Sequence, residues 1–319
     1  MIVDFINHWT DERTGLRPLQ LVDWLRLPRS KYYHWREHYG QDTARTQPLP
    51  RDHWLADWEC DAIVAFAQAN PLEGYRRLTF MMLDADVVAV SPSTTYRVLL
   101  EAGLIGRSKL RPSAKGKGFT QPLRPHEHWH MDVSYLNLAG TFYYLCSILD
   151  GYSRAIVHWE VRETMKETDI EILLQRALEQ HPGVHPRIIS DNGPQFIARD
   201  FKSFIRELGL THVRTSPHYP QSNGKLERYH RTVKADCLRP QTPLSLADAR
   251  RVIGKWVEHY NAVRLHSAIG YIAPADKLAG KETAIFAARD TKLELARQRR
   301  KQARINRQNS LTAPPAFSN

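Results

Sequence analysis

A chain of 319 residues with 42% hydrophobic and 25% charged residues has the balance of a folded protein of about two domains, which excludes disorder throughout. Its formal net charge of +11 and pI near 9.6 call for a polyanionic partner, nucleic acid or an anionic membrane surface. The opening MIVDFINHWTDER carries acids early and lacks a basic stretch before an apolar one, and no apolar run reaches about 18 residues, so neither a signal peptide nor a membrane span is expected; the expectation is a cytoplasmic, nucleoid-associated protein.

The first segment, PLQLVDWLRLPRSKYYHWREHYG, holds two short helical patterns around a break at Leu27 and Pro28, with Ser30 placed to cap the second. A second pair follows in NPLEGYRRLTFMMLDADVVAVSPSTTYRVLLEAGL: a helix through Met81, Met82 and Leu83, a turn near Asp86, then Ser91 as N-cap with Pro92 at the first helical position. Both have the shape of helix-turn-helix units, so residues 1–104 are expected to be an all-α, DNA-binding region. Residues 105–122 contain RSKLRPSAKGK, which has five basic residues and no acid and suits a linker lying along phosphates.

Beyond it the period changes. WHMDVSYLNL, TFYYLCSILD and RAIVHWEVR are aromatic and β-branched runs separated by Ala139-Gly140 and by Asp150-Gly151-Tyr152-Ser153, the pattern of a three-stranded antiparallel meander. A helix from about Thr168 to Glu179, a short buried strand RIIS, a helix ARDFKSFIRELG, a strand THVRT and a further helix come next. Strands alternating with helices predict an α/β core over 123–280, a mixed sheet flanked by helices. Residues 281–319 end in LELARQRRKQARINRQ, with six basic residues from Arg297 to Arg307 and no acid among them: a basic helical tail, either a solvated end or a DNA contact. Cys60, Cys146 and Cys237 are odd in number and widely spaced, which argues against a disulfide framework or a zinc knot and for buried or half-buried apolar positions.

The acids of the core carry the chemistry. Asp132 falls within the first strand, Asp191 lies just past the carboxyl end of RIIS where open α/β sheets place their sites, and Glu227 follows after 35 intervening residues. If 222–237 is helical, Leu226, Tyr229, Val233 and Cys237 form an inward stripe, while Glu227, Arg231 and Lys234 share the next face. Three gathered carboxylates repel one another unless a cation joins them, and oxygen-only ligands select a hard ion, Mg²⁺ or Mn²⁺. Two such ions suit in-line phosphoryl displacement, with the neighbouring cations holding the phosphodiester.

HWHMDVSYL, ISDNGPQF and SPHYPQSNGKLERYHRTVK, in that order and with that last spacing, resemble the Asp-Asp-Glu core of insertion-sequence-three family transposases, which are related to retroviral integrases. EGYRRLT and NAVRLHSAIGYIAPAD are similar to the family's pre-core and closing segments, so the likeness spans roughly residues 70–280. It implies an RNase H-like core and a polynucleotidyl transferase that moves element ends into DNA, with Asp132, Asp191 and Glu227 as catalytic ligands of two divalent ions. It also implies that Asn192, Gly193, Tyr219, Gln221, Asn223 and Gly224 shape the loops beside the metals and that Lys234 contacts the DNA end; with Arg231, from the shared helix face, the expected DNA-binding residues are Asn192, Tyr219, Gln221, Asn223, Arg231 and Lys234. The partners expected are DNA, further copies of the chain, and an upstream-frame DNA-binding polypeptide or fusion, since no sustained heptad repeat is present.

Two alternative enzymes and a bland reading compete. HEHWH at 126–130 matches the HExxH zinc-protease pattern, but that site needs a helix and the residues continue as a strand. Asp150 is a further core acid whose Asp-Gly step favours a structural role in a hairpin. An RNase H-like nuclease and a non-catalytic DNA-binding regulator remain the alternatives to a transposase.

Overall fold

Pro28 cannot continue a helix from its own N–H, and its carbonyl accepts from Lys31 and Tyr32 at 3.0 and 3.2 Å, so a helix starts immediately after it. This corrects the expected cap: Pro28, not Ser30, occupies the N-cap position, and Ser30 lies inside the first turn. The computed structural model describes residues 2–10, 15–40, 54–106, 121–214 and 224–312, with side chains to 306. It divides into two compact units, Met1–Trp54 and Leu55–Asn319. In the first, α1 (Ile2–Trp9), α2 (Pro18–Trp24) and α3 (Arg29–Glu37) pack around Ile6, Leu21, Val22 and Tyr32.

The second unit begins with α4 (Asp57–Ala69), α5 (Tyr75–Asp84) and α6 (Pro92–Glu101), whose core is Ile63, Leu78, Met82, Val88, Val90 and Leu99. Ser91 caps α6 as its sequence requires, its Oγ accepting from the Thr94 N–H at 3.3 Å, and Asp86 turns the chain with a φ of 56°. The buried hydroxyls of Thr79 and Thr95 satisfy each other at 2.8 Å across the α5–α6 contact. The basic run 107–117 lies outside the described residues, apart from its flanks.

The sheet has five strands in the order β3-β2-β1-β4-β5. β1 (His128–Leu138), β2 (Thr141–Asp150) and β3 (Ile156–Arg162) form the antiparallel meander; β4 (Arg187–Ser190) and β5 (Thr211–Arg214) run parallel to β1. This is the mixed, RNase H-like arrangement expected. Between strands come α7 (Glu167–Gln180), α8 (Pro194–Ile197) and α9 (Arg199–Glu207). After β5, α10 (Gly224–Thr232) widens into a π-helical turn, Val233–Leu238, and runs on into α11 (Arg239–Gln241), followed by α12 (Leu246–Ala262) and α13 (Pro274–Leu278).

Alternation along β1 decides which helices cover which face. Trp129 and Met131 point into a cluster with Ile170, Leu173 and Leu174 of α7 and Phe201 and Ile205 of α9, whereas Leu136 and Leu138 pack with Leu226, Tyr229 and Val233 and with Val252, Ile253 and Trp256 of α12. β3 would leave an open edge, and α12 closes it. The Asn261 side chain accepts from the Ile156 N–H and donates to the Ile156 carbonyl, both at 2.9 Å, and Arg250 donates to the Val161 carbonyl at 3.0 and 2.8 Å. His126 sits in a turn (φ 57°) before β1 begins, so His126 and His130 share no helical face. Asp150 is fully buried and accepts from the His126 N–H and from the Ser153 N–H and hydroxyl, a structural part of the β2–β3 turn.

The chain closes with α14 (Glu282–Thr312), which is not simply a solvated end. Arg289 pairs with Asp84 at 2.6 Å, Lys292 with Asp86 at 2.7 Å, and Arg300 with the buried Glu59 at 2.9 Å, while Arg300 also donates to the Ala89 carbonyl. Removing Arg300 would strand Glu59, which is 1% exposed at its side chain, so Arg300→Ala should cost about 3–5 kcal/mol. Arg297→Ala, at a side chain 66% exposed, should cost less than about 1 kcal/mol, a difference that urea titrations of the two variants measure.

Candidate active site

Asp132 belongs to the face of β1 that looks towards α10, two residues beyond His130, and its Oδ1 accepts from the Val133 N–H at 3.0 Å. β4 pairs with β1 in parallel register, His130 beside Ile189, so continuing each strand by two residues brings Asp191 alongside Asp132. Asp191 begins the loop after β4, and its Oδ1 accepts from the Gly193 N–H at 2.9 Å. A side chain at Gly193 would put its Cβ 2.8 Å from Gln195 Nε2 and 3.0 Å from that carboxylate oxygen, so a larger residue there would have to displace one of these side-chain ends.

Glu227 is placed by its neighbours on α10. Leu226, Tyr229, Val233 and Cys237 are buried as one inward stripe, and this rotation turns Glu227, Arg231 and Lys234 into a cleft of about 410 Å³. Asp132, Val133, Ser134 and Tyr135 of β1 form its other wall, and His230, Ala235 and Arg239 complete it. His230 is buried, with Nδ1 3.4 Å from Asp132 Oδ2. Sequence reasoning named neither His230 nor Arg239. Helical spacing from Glu227 could have found His230; Arg239 follows the π-helical turn, whose wider winding shifts the helical phase.

The remaining cations of this helix have different fates. Lys225 turns inward, donates to the Gly151 carbonyl at 3.2 Å, and is pushed down to about 7 by burial and by Arg154, with Asp150 opposing. Asn192 is exposed in the turn between Asp191 and Gly193, and Gly224 opens α10. Tyr219, Gln221 and Asn223 lie outside the described residues.

Two Integrase core domain families match the chain, one over residues 122–220 and one over 208–274. The insertion element IS476 uncharacterized 39.2 kDa protein of Xanthomonas euvesicatoria is 30% identical over 249 residues, covering 76% of this chain and 70% of that one. The chain belongs to the insertion-sequence-three family of transposases, DNA-acting enzymes with an integrase-type core. The transposase for insertion sequence element IS629 of Shigella sonnei is 25% identical over 83% of this chain and 92% of its own. Among solved structures, the HTLV-2 integrase catalytic core domain in complex with magnesium aligns with 47% of this chain and 94% of that one, at 21% identity and a TM-score of 0.39. No helix among the transposase's described residues is long and apolar enough to cross a membrane.

Burial, and then the charge of Asp132, hold the Asp191 carboxyl above the ordinary aspartate value, with the Gly193 N–H opposing. Among the described residues, no group of three His, Cys, Asp or Glu side chains stands at metal-holding spacing. The structure brings Asp132 beside Asp191, and Asp132 and Glu227 into one cleft, without gathering all three acids at a shared point.

The sign of the Asp191 shift gives a test. A raised folded-state pKa means that, above the unfolded aspartate value, the folded protein keeps a proton the unfolded chain has released, so stability falls as pH rises through that window and stays lower beyond it. Asp132→Asn removes one of the two raising causes. In chelator it should lower the Asp191 titration point seen by carboxyl NMR and raise the melting temperature at neutral pH.

Proposed function

We propose that this cleft cuts DNA at the ends of an insertion element and joins the released 3′ hydroxyl to a second DNA site. The observation that carries it is the cleft itself: Asp132 and Glu227 face one another across it among Arg231, Lys234 and Arg239, and Asp191 adjoins Asp132. Oxygen-only donors that repel one another, one of them with its pKa raised by burial and by its neighbour's charge, suit a hard divalent cation. Asp132, Asp191 and Glu227 would hold Mg²⁺ or Mn²⁺ when it is bound. Two such ions, when bound, supply charge stabilisation for the entering and leaving oxygens of a phosphodiester displacement.

The protein's own groups do the rest. Arg231, Lys234 and Arg239 bind the phosphodiester backbone and present it to the carboxylates. In the first displacement a water oxygen bonds to phosphorus as the bond to the 3′ oxygen breaks, leaving a 3′ hydroxyl and a 5′ phosphate. In the second, that 3′ hydroxyl loses its proton, bonds to a phosphorus of the target strand, and that strand's own 3′ oxygen departs. No side chain becomes covalently attached.

Asn192 shapes the turn beside Asp191, and Tyr219, Gln221 and Asn223 are proposed to contact the DNA end from the segment that leads into α10. The α1–α3 and α4–α6 units, the 105–122 linker and exposed cations of the tail add phosphate contacts that keep the protein on the nucleoid. Pairing two element ends requires at least a dimer in the active complex, and an upstream-frame polypeptide or fusion would add recognition of the terminal sequence.

Labelled element ends incubated with target DNA and Mg²⁺ test the reading. The wild type should give joined products that chelation abolishes. Glu227→Gln should lose at least about a hundredfold in joining while DNA affinity changes less than about threefold. Release of ribonucleotides from a hybrid without joining would favour the nuclease, and an inert wild type with normal DNA binding would favour the regulator. Lys234→Ala should weaken binding to all sequences alike and reduce the slope of log affinity against log salt by about one.

A further inference from the structure

His230 contributes nothing obvious to stability. It is 6% exposed, and among the described residues its buried Nε2 has no hydrogen-bond partner and its Nδ1 makes only the 3.4 Å approach to Asp132. A buried polar atom left unpaired costs about 1–3 kcal/mol. The flanking Tyr229 and Val233 show what this part of α10 accepts when packing alone decides. An apolar side chain would serve the core better.

The position of the ring accounts for its presence. His230 lies three residues after Glu227 and four before Lys234, on the cleft side of α10. Asp132 Oδ1 is held by the Val133 N–H at 3.0 Å, and Oδ2 is the oxygen that faces His230. One side chain of α10 therefore touches the acid of β1, and the same helix carries Glu227.

We propose that His230 is a positioning residue: through Nδ1 it fixes the rotation of the Asp132 carboxylate and the separation of β1 from α10, so that Asp132 and Glu227 are preset for one divalent cation. This inference rests on the metal-site reading above, and it concerns the residue that orients a ligand, with no part in bond breaking. Partners of this kind typically alter metal affinity by about 10–100-fold when removed.

The test is Mg²⁺ and Mn²⁺ titration of the full chain without DNA, followed by calorimetry and by the cation-induced rise in melting temperature. His230→Leu should melt at or above the wild-type temperature in chelator yet bind the cation at least about tenfold more weakly. His230→Asn, whose Nδ2 can stand where Nδ1 stood, should bind within about threefold of wild type; His230→Ala replaces the leucine variant if that does not fold. DNA affinity in chelator should be unchanged in all of them. Leucine or alanine variants that bind the cation as tightly as wild type, or an asparagine variant no better than they are, overturn the inference while leaving the site standing. A wild type that binds neither cation overturns the metal-site reading itself.

Discussion

The packing of α10 against the β1–β2 face is the interaction on which the site depends. Leu226, Tyr229 and Val233 are buried against Leu136, Leu138 and the α12 side chains, and together they fix the rotation of the helix. Each such burial is worth about 1.5–3 kcal/mol. Two carboxylates about 4 Å apart repel by about 4 kcal/mol at an effective dielectric of 20. The stripe outweighs a repulsion of that size, so the fold can hold Glu227 in the cleft that Asp132 lines. Burial, and then the charge of Asp132, raise the Asp191 pKa beside it.

Much of this was legible because it rests on period and punctuation. Alternating aromatic and β-branched residues marked the meander, and Ala139-Gly140, with φ of 48° and 89°, makes the tight turn between β1 and β2. RIIS, four residues long, is a strand because its Ile188, Ile189 and Ser190 are buried in the sheet. The stripe begun on α10 continues into the π-helical turn, where Val233 and Cys237 are both buried. The sequence could not show contacts between distant segments. Nothing in a local pattern says that Arg300 will meet Glu59, or that His230 will meet Asp132 nearly a hundred positions earlier. Ser30 shows the opposite failure, a good capping residue overruled because the proline before it had already started the helix.

The segments outside the cleft that resemble the family act on the site at one remove. Asn261 closes the β3 edge, and the chain just beyond it is clamped from the helical region: Arg77 donates to the Leu265 carbonyl at 2.9 Å, and Arg289 to the carbonyls of Gly270 and Tyr271 at 3.2 and 2.7 Å. Phe80 stacks on Tyr271, with ring centroids 4.8 Å apart. EGYRRLT and NAVRLHSAIGY are thus two sides of one joint between α5 and the end of α12. The helix-turn-helix-like pair α5–α6 is tied into the same compact unit as the catalytic sheet, whereas α1–α3 form the other unit.

The charge of the chain is sorted by the fold. Arg162 and Arg176 share Glu160, Arg162 also reaches Asp169, Arg289 and Arg300 are spent on Asp84 and Glu59, and Arg264 on Asp236. Among the described residues, Arg231, Lys234 and Arg239 enter no such pair, although Glu227 shares their cleft. A surface helix stabilised by its own charges would set Glu227 against Arg231 at i and i+4 as an ion pair. Among the described residues that pair is not formed, and Glu227 and the three bases instead line the cleft side by side. The solitary glutamate in a basic helix is then held in the cleft that Asp132 lines by the buried stripe that sets the rotation of the helix, and not by an ion pair with the bases that share its face.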